Sequence, residues 1–218
     1  MADQALLQTI ARAQQTLRAA GRLRPFHRGN ILMAMGEPSG EVLLVESGLV
    51  KVVLPATSGI DVLIGLHGRG ALLGELGILE FRRRSATVIA HQDGIATHVP
   101  GQAFRDLVHR DRDVRALADV TQRQRLHSAD RRQLAVASMN VRARTVTQLL
   151  DWAHEYGERV EDGLAVRGLS HRDLAGAVLA SEKHVDAVLG TLRGAGLLRT
   201  RRMCFVLTDL PGLASLLG

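Results

Sequence analysis

The 218 residues predict an α+β chain in three parts: an N-terminal β-roll of jelly-roll type, a long helix, and a C-terminal helix pair ending in a hairpin. Three observations carry this. Over residues 26–99, short runs rich in Val, Leu and Ile alternate with Gly, Pro and Asp turn signals. Over residues 102–138 neither proline nor glycine occurs, and Ala, Leu, Arg and Gln dominate. Over residues 170–207 two serine-led helical stretches a few residues apart lead into a basic, alternating run. A chain of this length holds one or two domains. The texture changes divide it into a β-roll at 1–108, a helix at 109–138 and a last domain at 139–218.

Taken in order, Leu6, Leu7, Ile10, Ala11 and Leu17 recur at helical spacing, so residues 4–20 form an amphipathic helix. Strands follow at 31–35, 42–45, 49–54, 60–66, 86–90 and 95–99. Turns part them at 36–40, Ser47-Gly48, Thr57-Ser58-Gly59, Gly68-Arg69-Gly70 and Gln92-Asp93-Gly94. Strands at roughly ten-residue spacing make a sandwich, roll or barrel. The Cys…Trp…Cys pattern of an immunoglobulin-like sandwich is absent. Residues 101–138 form one long helix or a pair. Within them Leu117, Val120, Gln124, His127, Arg131 and Leu134 recur at three- and four-residue steps, the spacing of a coiled-coil seam with a polar centre.

Asn140 is placed as the N-cap of a new helix running through Thr147, Leu150 and Trp152. A turn-rich stretch at 156–163 precedes a β-like segment at 164–166. Ser170 followed by Asp173 is a capping-box variant, opening a helix to about Leu179. Ser181 caps a second helix that ends near Gly194 or Gly196. Ala175 is the small residue at the crossing of the two, and Val185 and Val188 are the apolar residues facing it. Residues 197–207 form a hairpin with Arg199, Arg201 and Arg202 near its tip.

The formal net charge is +6, with lysine only at Lys51 and Lys183. Residues 1–101 hold 10 basic and 8 acidic side chains, residues 102–144 hold 10 and 5, and residues 145–218 hold 8 and 9. Bulk charge therefore does not mark the C-terminal part as a nucleic-acid binder, and local placement has to do so. Cys204 alone forms no internal disulfide and supplies no zinc or iron–sulfur cluster. It is expected in packing, and His91 and His98 are expected on strands with their hydrogen bonds satisfied. No run approaches the ~20 apolar residues of a membrane span, and no secretory signal is visible, so a cytoplasmic location without membrane attachment is expected. With no nucleophile–base set, no metal-ligand spacing and no Gly-rich loop before Lys-Ser/Thr, an enzyme is not expected.

Two helices joined by a tight turn and followed by a basic hairpin make a winged helix-turn-helix. In such a unit the second helix enters the major groove by its N-terminal end. Ser181, Glu182, Lys183 and His184 would lie there, with Ala187 one turn on. Ser170, His171, Arg172, Arg199, Arg201 and Arg202 would approach phosphates, which orient without reading sequence. Earlier in the chain, Gly74-Glu75-Leu76 opens a short helix ahead of Arg82-Arg83-Arg84-Ser85-Ala86-Thr87. Unpaired N–H groups there attract an anion. An arginine beside a hydroxyl grips phosphate through directed donors, and the glutamate accepts from a sugar hydroxyl. Three adjacent arginines also read as a solvated loop.

The stretch Phe26-His27-Arg28-Gly29-Asn30-Ile31-Leu32, then Gly36-Glu37-Pro38 and Val42 through Val52, resembles the opening of a cyclic-nucleotide-binding roll. The Gly74-Glu75-Leu76 and Arg84-Ser85-Ala86-Thr87 pair resembles that domain's phosphate-binding cassette, and Asn140-Val141-Arg142-Ala143-Arg144 the start of its partner DNA-binding domain. Over nearly its whole length the chain is similar to the CRP/FNR superfamily. The resemblance implies a homodimer paired along the long helix, a pseudo-palindromic double-stranded DNA operator, RNA polymerase as a partner, and a small effector such as cAMP or cGMP. It assigns the cyclic phosphate to Arg84 and Ser85, the ribose 2′-hydroxyl to Glu75, and backbone or flanking contacts to Gly74, Leu76 and Ala86. The hydroxyl pair that touches adenine in cAMP-responsive members falls on Ala129 and Asp130, with His127 close by. The second helix reads Ser181-Glu182-Lys183-His184-Val185 where the family often has Ser-Arg-Glu-Thr-Val, and Leu179 stands where glycine is usual. Two alternatives stay open: a regulator active without ligand, and a ligand-binding or interaction module that no longer binds DNA specifically.

Overall fold

The structure, a computed structural model, describes residues 2–56 and 61–217. It divides into two compact units, Met1–Leu54 with Gly65–Ala129, and Pro55–Ile64 with Asp130–Gly218. The expected turn at Thr57-Ser58-Gly59 and the strand start at Ile60 lie outside the described residues.

The first part of the chain runs α1 (Ala2–Ala20), β1 (Arg22–Phe26), β2 (Ile31–Met33), β3 (Glu41–Ser47), β4 (Val50–Leu54), β5 (Val62–His67), β6 (Leu72–Leu73), α2 (Glu75–Leu79), β7 (Thr87–Ala90), β8 (Gly94–Pro100) and α3 (Gly101–Arg110). Two four-stranded sheets, ordered β1-β8-β3-β6 and β2-β7-β4-β5, make the roll. β3 is central to the first, and four consecutive residues, Val42 to Val45, are fully buried. Alternation fails there because both faces are covered. Val42 and Leu44 join Ala13, Leu17, Ile78, Phe104 and Val114 in one cluster. Each of the larger side chains buried there contributes about 2 kcal/mol.

The sequence pattern passed over β1 and β6. β1 reads Arg-Leu-Arg-Pro-Phe with only Phe26 buried, so it lacks a hydrophobic face, and as an edge strand it tolerates Pro25. The helical stretch after Gly101 is a pair, broken at Asp111, whose backbone is extended. Its carboxylate accepts from Asp113 N at 2.8 Å and Val114 N at 3.1 Å, capping α4 (Arg112–Ser138). Those bonds hold the Asp111 carboxyl below its usual pKa. Leu117, the first residue of the expected seam, is buried in the roll's own core. Gln124, His127, Arg131 and Leu134 are exposed, as are Leu126 and Val136.

The second unit comprises α5 (Val141–Tyr156), β9 (Glu158–Val160), β10 (Gly163–Arg167), α6 (His171–Val178), α7 (Glu182–Gly194), β11 (Leu198–Arg201), β12 (Cys204–Leu207) and α8 (Leu210–Ser215). Its sheet has the order β11-β12-β10-β9. Asn140 caps α5, its side chain accepting from Ala143 N at 2.9 Å. Leu149, Leu174, Val185, Leu189, Phe205 and Leu213 fill the core. Asp209 caps α8, with Pro211 in the first turn, a helix-start signal carried by the sequence itself. No helix among the described residues is long and apolar enough to cross a membrane.

Candidate functional site

Two constellations lie in the regions singled out by sequence, one in each unit. In the first, Gly74 takes a left-handed backbone (φ 84°) at the start of α2. A Cβ there would overlap the Arg84 guanidinium and the end of Met33, so the turn requires glycine. α2 then carries Glu75 inward to zero exposure. Arg84 is likewise buried, at 8% exposure, and is the arginine of its run that points in. Its Nη1 donates to Gly74 O at 2.9 Å and its Nη2 to Glu41 O at 2.6 Å. Arg82 and Arg83 are exposed, so the solvated-loop reading holds for them and not for Arg84. Ser85 is exposed beside it, and Leu76 and Ala86 are half-buried.

Glu75 has a partner that sequence did not identify. Arg125 of α4 donates from Nη1 to Glu75 Oε1 at 2.7 Å and from Nη2 to Leu72 O at 2.8 Å. Among seven arginines between positions 110 and 132, nothing in the pattern distinguishes it. Glu75 Oε2 is buried and has no hydrogen-bond partner among the described residues. Burial pushes the Glu75 carboxyl up in pKa, and Arg125 opposes the rise. Burial lowers Arg84, with Glu41, Glu37 and Glu75 acting the other way. His127 and Asp130 are exposed on α4.

In the second unit Ser170 and Asp173 complete the reciprocal capping box. Ser181 caps α7, its Oγ accepting from His184 N. Lys183, His184 and Ala187 project to solvent along the start of α7. The acids of this helix are paired with α6. His171 Nδ1 lies 2.6 Å from Asp186 Oδ1, with its ring stacked on Phe205, and Arg172 Nε is 3.9 Å from Glu182 Oε1. Leu179 ends α6 in the left-handed region (φ 52°), so the turn keeps the shape a glycine would give at the cost of a strained leucine. Strand alternation puts Arg199 and Arg201 on the outer face of the sheet, opposite Val206 and Cys204, and Arg199 pairs with Asp162. Arg202 sits at the hairpin turn.

The chain matches the cyclic nucleotide-binding domain over residues 23–111 and the Crp-like helix-turn-helix domain over residues 143–216. It is 26% identical over 191 residues to the CRP-like cAMP-activated global transcriptional regulator of Mycobacterium tuberculosis, covering 87% of this chain and 85% of that one. Among solved structures, the c-di-GMP responsive global regulator CLP of Xanthomonas campestris superposes with a TM-score of 0.80 at 23% identity, covering 91% of this chain and 99% of that one. A CRP/FNR-family transcriptional regulator of Thermus thermophilus gives a TM-score of 0.77 at 24% identity, covering 90% and 98%. At these identities the superpositions establish the fold. The chain belongs to the CRP/FNR superfamily of transcription regulators, and joins a cyclic nucleotide-binding domain to a Crp-like helix-turn-helix.

Proposed function

We propose that this regulator acts as a homodimer, that a cyclic nucleotide bound at Arg84, Ser85 and Glu75 is its effector, and that the ligand sets affinity for a pseudo-palindromic operator read by α7. The observation that carries the effector reading is Glu75 Oε2, an acceptor at zero exposure with no partner among the described residues. Such an atom costs folding free energy, on the order of 1–3 kcal/mol. A sugar hydroxyl would satisfy it. Arg84 spends two of its five N–H donors on backbone carbonyls, which leaves donors for a phosphate beside exposed Ser85.

Support for pairing comes from the second half of α4, which exposes Leu126, Leu134 and Val136. Support for DNA reading comes from α7. Its Glu182 is held beside Arg172, which reduces its repulsion of phosphate, and Asp186 is tied to His171 of α6. A ligand controls DNA affinity only as far as it binds one state of the protein better than the other.

Thermal unfolding against cAMP, cGMP and c-di-GMP tests the effector reading, with Ser85→Ala as the control because Ser85 is exposed and makes no core contact. At a hundredfold excess over Kd, a true ligand adds about 2.7 kcal/mol, a rise of several degrees, and Ser85→Ala should need more nucleotide for the same rise. No rise with any of the three would remove the effector reading.

A further inference from the structure

α7 carries a second acid one turn beyond Glu182. The side chain of Asp186 is 55% exposed, and His171, the first residue of α6, places Nδ1 2.6 Å from its Oδ1. A carboxylate only accepts hydrogen bonds, so the proton of this bond sits on Nδ1. The imidazole is also stacked on Phe205 of β12, with ring centroids 5.7 Å apart and planes at 21°. Phe205 is 1% exposed, so the ring rests on a platform fixed in the core. Asp186 Oδ2 accepts no hydrogen bond among the described residues. A pair this exposed contributes little to stability, so the fold alone explains it poorly.

The chemistry of base edges supplies a use. On a helix presented to DNA, a carboxylate is repelled by the phosphates of every sequence. It gains only where a base edge offers an N–H group. In the major groove the amino groups of cytosine and adenine donate, whereas guanine O6 and N7 and thymine O4 accept and would repel it. Adenine sets its N7 acceptor beside the amino group, and cytosine does not, so cytosine is the better partner. With Oδ1 held by His171, the side chain is already ordered before DNA arrives, and Oδ2 remains as the acceptor. Resting on the reading of DNA by α7 proposed above, we propose that Asp186 is a specificity-determining residue that selects cytosine at one position of each half-site. His171 is its positioning residue.

The test is selection of bound DNA from random sequence by the full chain, with and without cAMP and cGMP, followed by titration of the selected operator and its single-base variants. Wild type should prefer cytosine at one position per half-site by about tenfold over thymine or guanine. Asp186→Ala should reduce that preference to within about twofold and leave the other positions as they were. Asp186→Asn should move the preference to adenine, because an amide matches the N6 donor and N7 acceptor together. His171→Ala should weaken the cytosine preference at that position alone, and His171→Gln, which keeps an N–H donor, should restore part of it. Asp186→Ala should melt within a few degrees of wild type, which separates altered reading from loss of fold. Base preferences unchanged in Asp186→Ala, or an affinity change spread evenly over all sequences, would overturn this assignment and leave reading by α7 intact. Wild type that selects no sequence under any of these conditions would overturn both.

Discussion

Glu75 with Arg125 in the first unit and Glu182 with Arg172 in the second are both carboxylate–guanidinium pairs. The first lies at 2.7 Å with the glutamate wholly buried, the second at 3.9 Å with its side chains 45% and 57% exposed. Water screens the second and contributes to each ion's solvation, so its net effect on stability is small. The first cannot lose a partner without stranding a charge in a low-dielectric interior. The cassette is thus committed by its own packing, whereas the charges of the reading helix are adjustable at little cost to the fold. Those opposite properties suit the effector site and the DNA-reading helix proposed above.

The sharpest way to break the contrast is to remove one member of each pair. Arg125→Ala should destabilise the protein by about 3 kcal/mol, and Arg172→Ala by less than about 0.5 kcal/mol, in denaturant titrations. Equal losses would show that burial does not separate the two. A second expected effect concerns His67. Its folded pKa is about 4 against an ordinary 6.5, so the unfolded chain takes up a proton first as pH falls. Its contribution is then complete above pH 6.5 and is lost between 6.5 and 4. Compared with His67→Leu, wild type should lose on the order of 2 kcal/mol between pH 7.5 and 4.5. Parallel pH profiles of the two proteins would contradict this.

Smaller effects are expected in the second unit. Leu179 is left-handed and 41% exposed, so Leu179→Gly relieves strain while giving up little burial. A gain of about 1 kcal/mol in the thermal transition is expected, and a loss would mean that the leucine packs better than its exposure implies. Glu182→Gln should change stability by under about 0.5 kcal/mol yet tighten DNA binding at low salt, by removing a negative charge near phosphate. Unaltered DNA affinity across a salt series would place Glu182 away from the backbone.

Much of this was legible in the sequence where local chemistry decides the outcome. The serine and asparagine caps at Asn140, Ser170 and Ser181 all form, because a side-chain acceptor three residues before an unpaired N–H is a local arrangement. Gly74, Glu75 and Arg84 converge as the motif implied. What escaped depends on residues distant in the chain. Arg125 meets Glu75 across 50 positions, and no local pattern selects it from the other arginines of α4. The strand expected at 60–66 stopped one residue short of His67, which closes β5. β1 was missed because it has no apolar face to alternate, and Leu117 was assigned to a seam that its own roll had already used.

Control of DNA binding by the cassette is tested most directly by equilibrium titration of a DNA fragment, selected by the protein itself from random sequence, with and without saturating nucleotide. A shift in Kd of about tenfold or more at fixed salt, with Ser85→Ala needing more nucleotide to reach it, is the expected result. Nucleotide binding that leaves the DNA Kd within about twofold would contradict it, because a ligand with equal affinity for both states shifts neither.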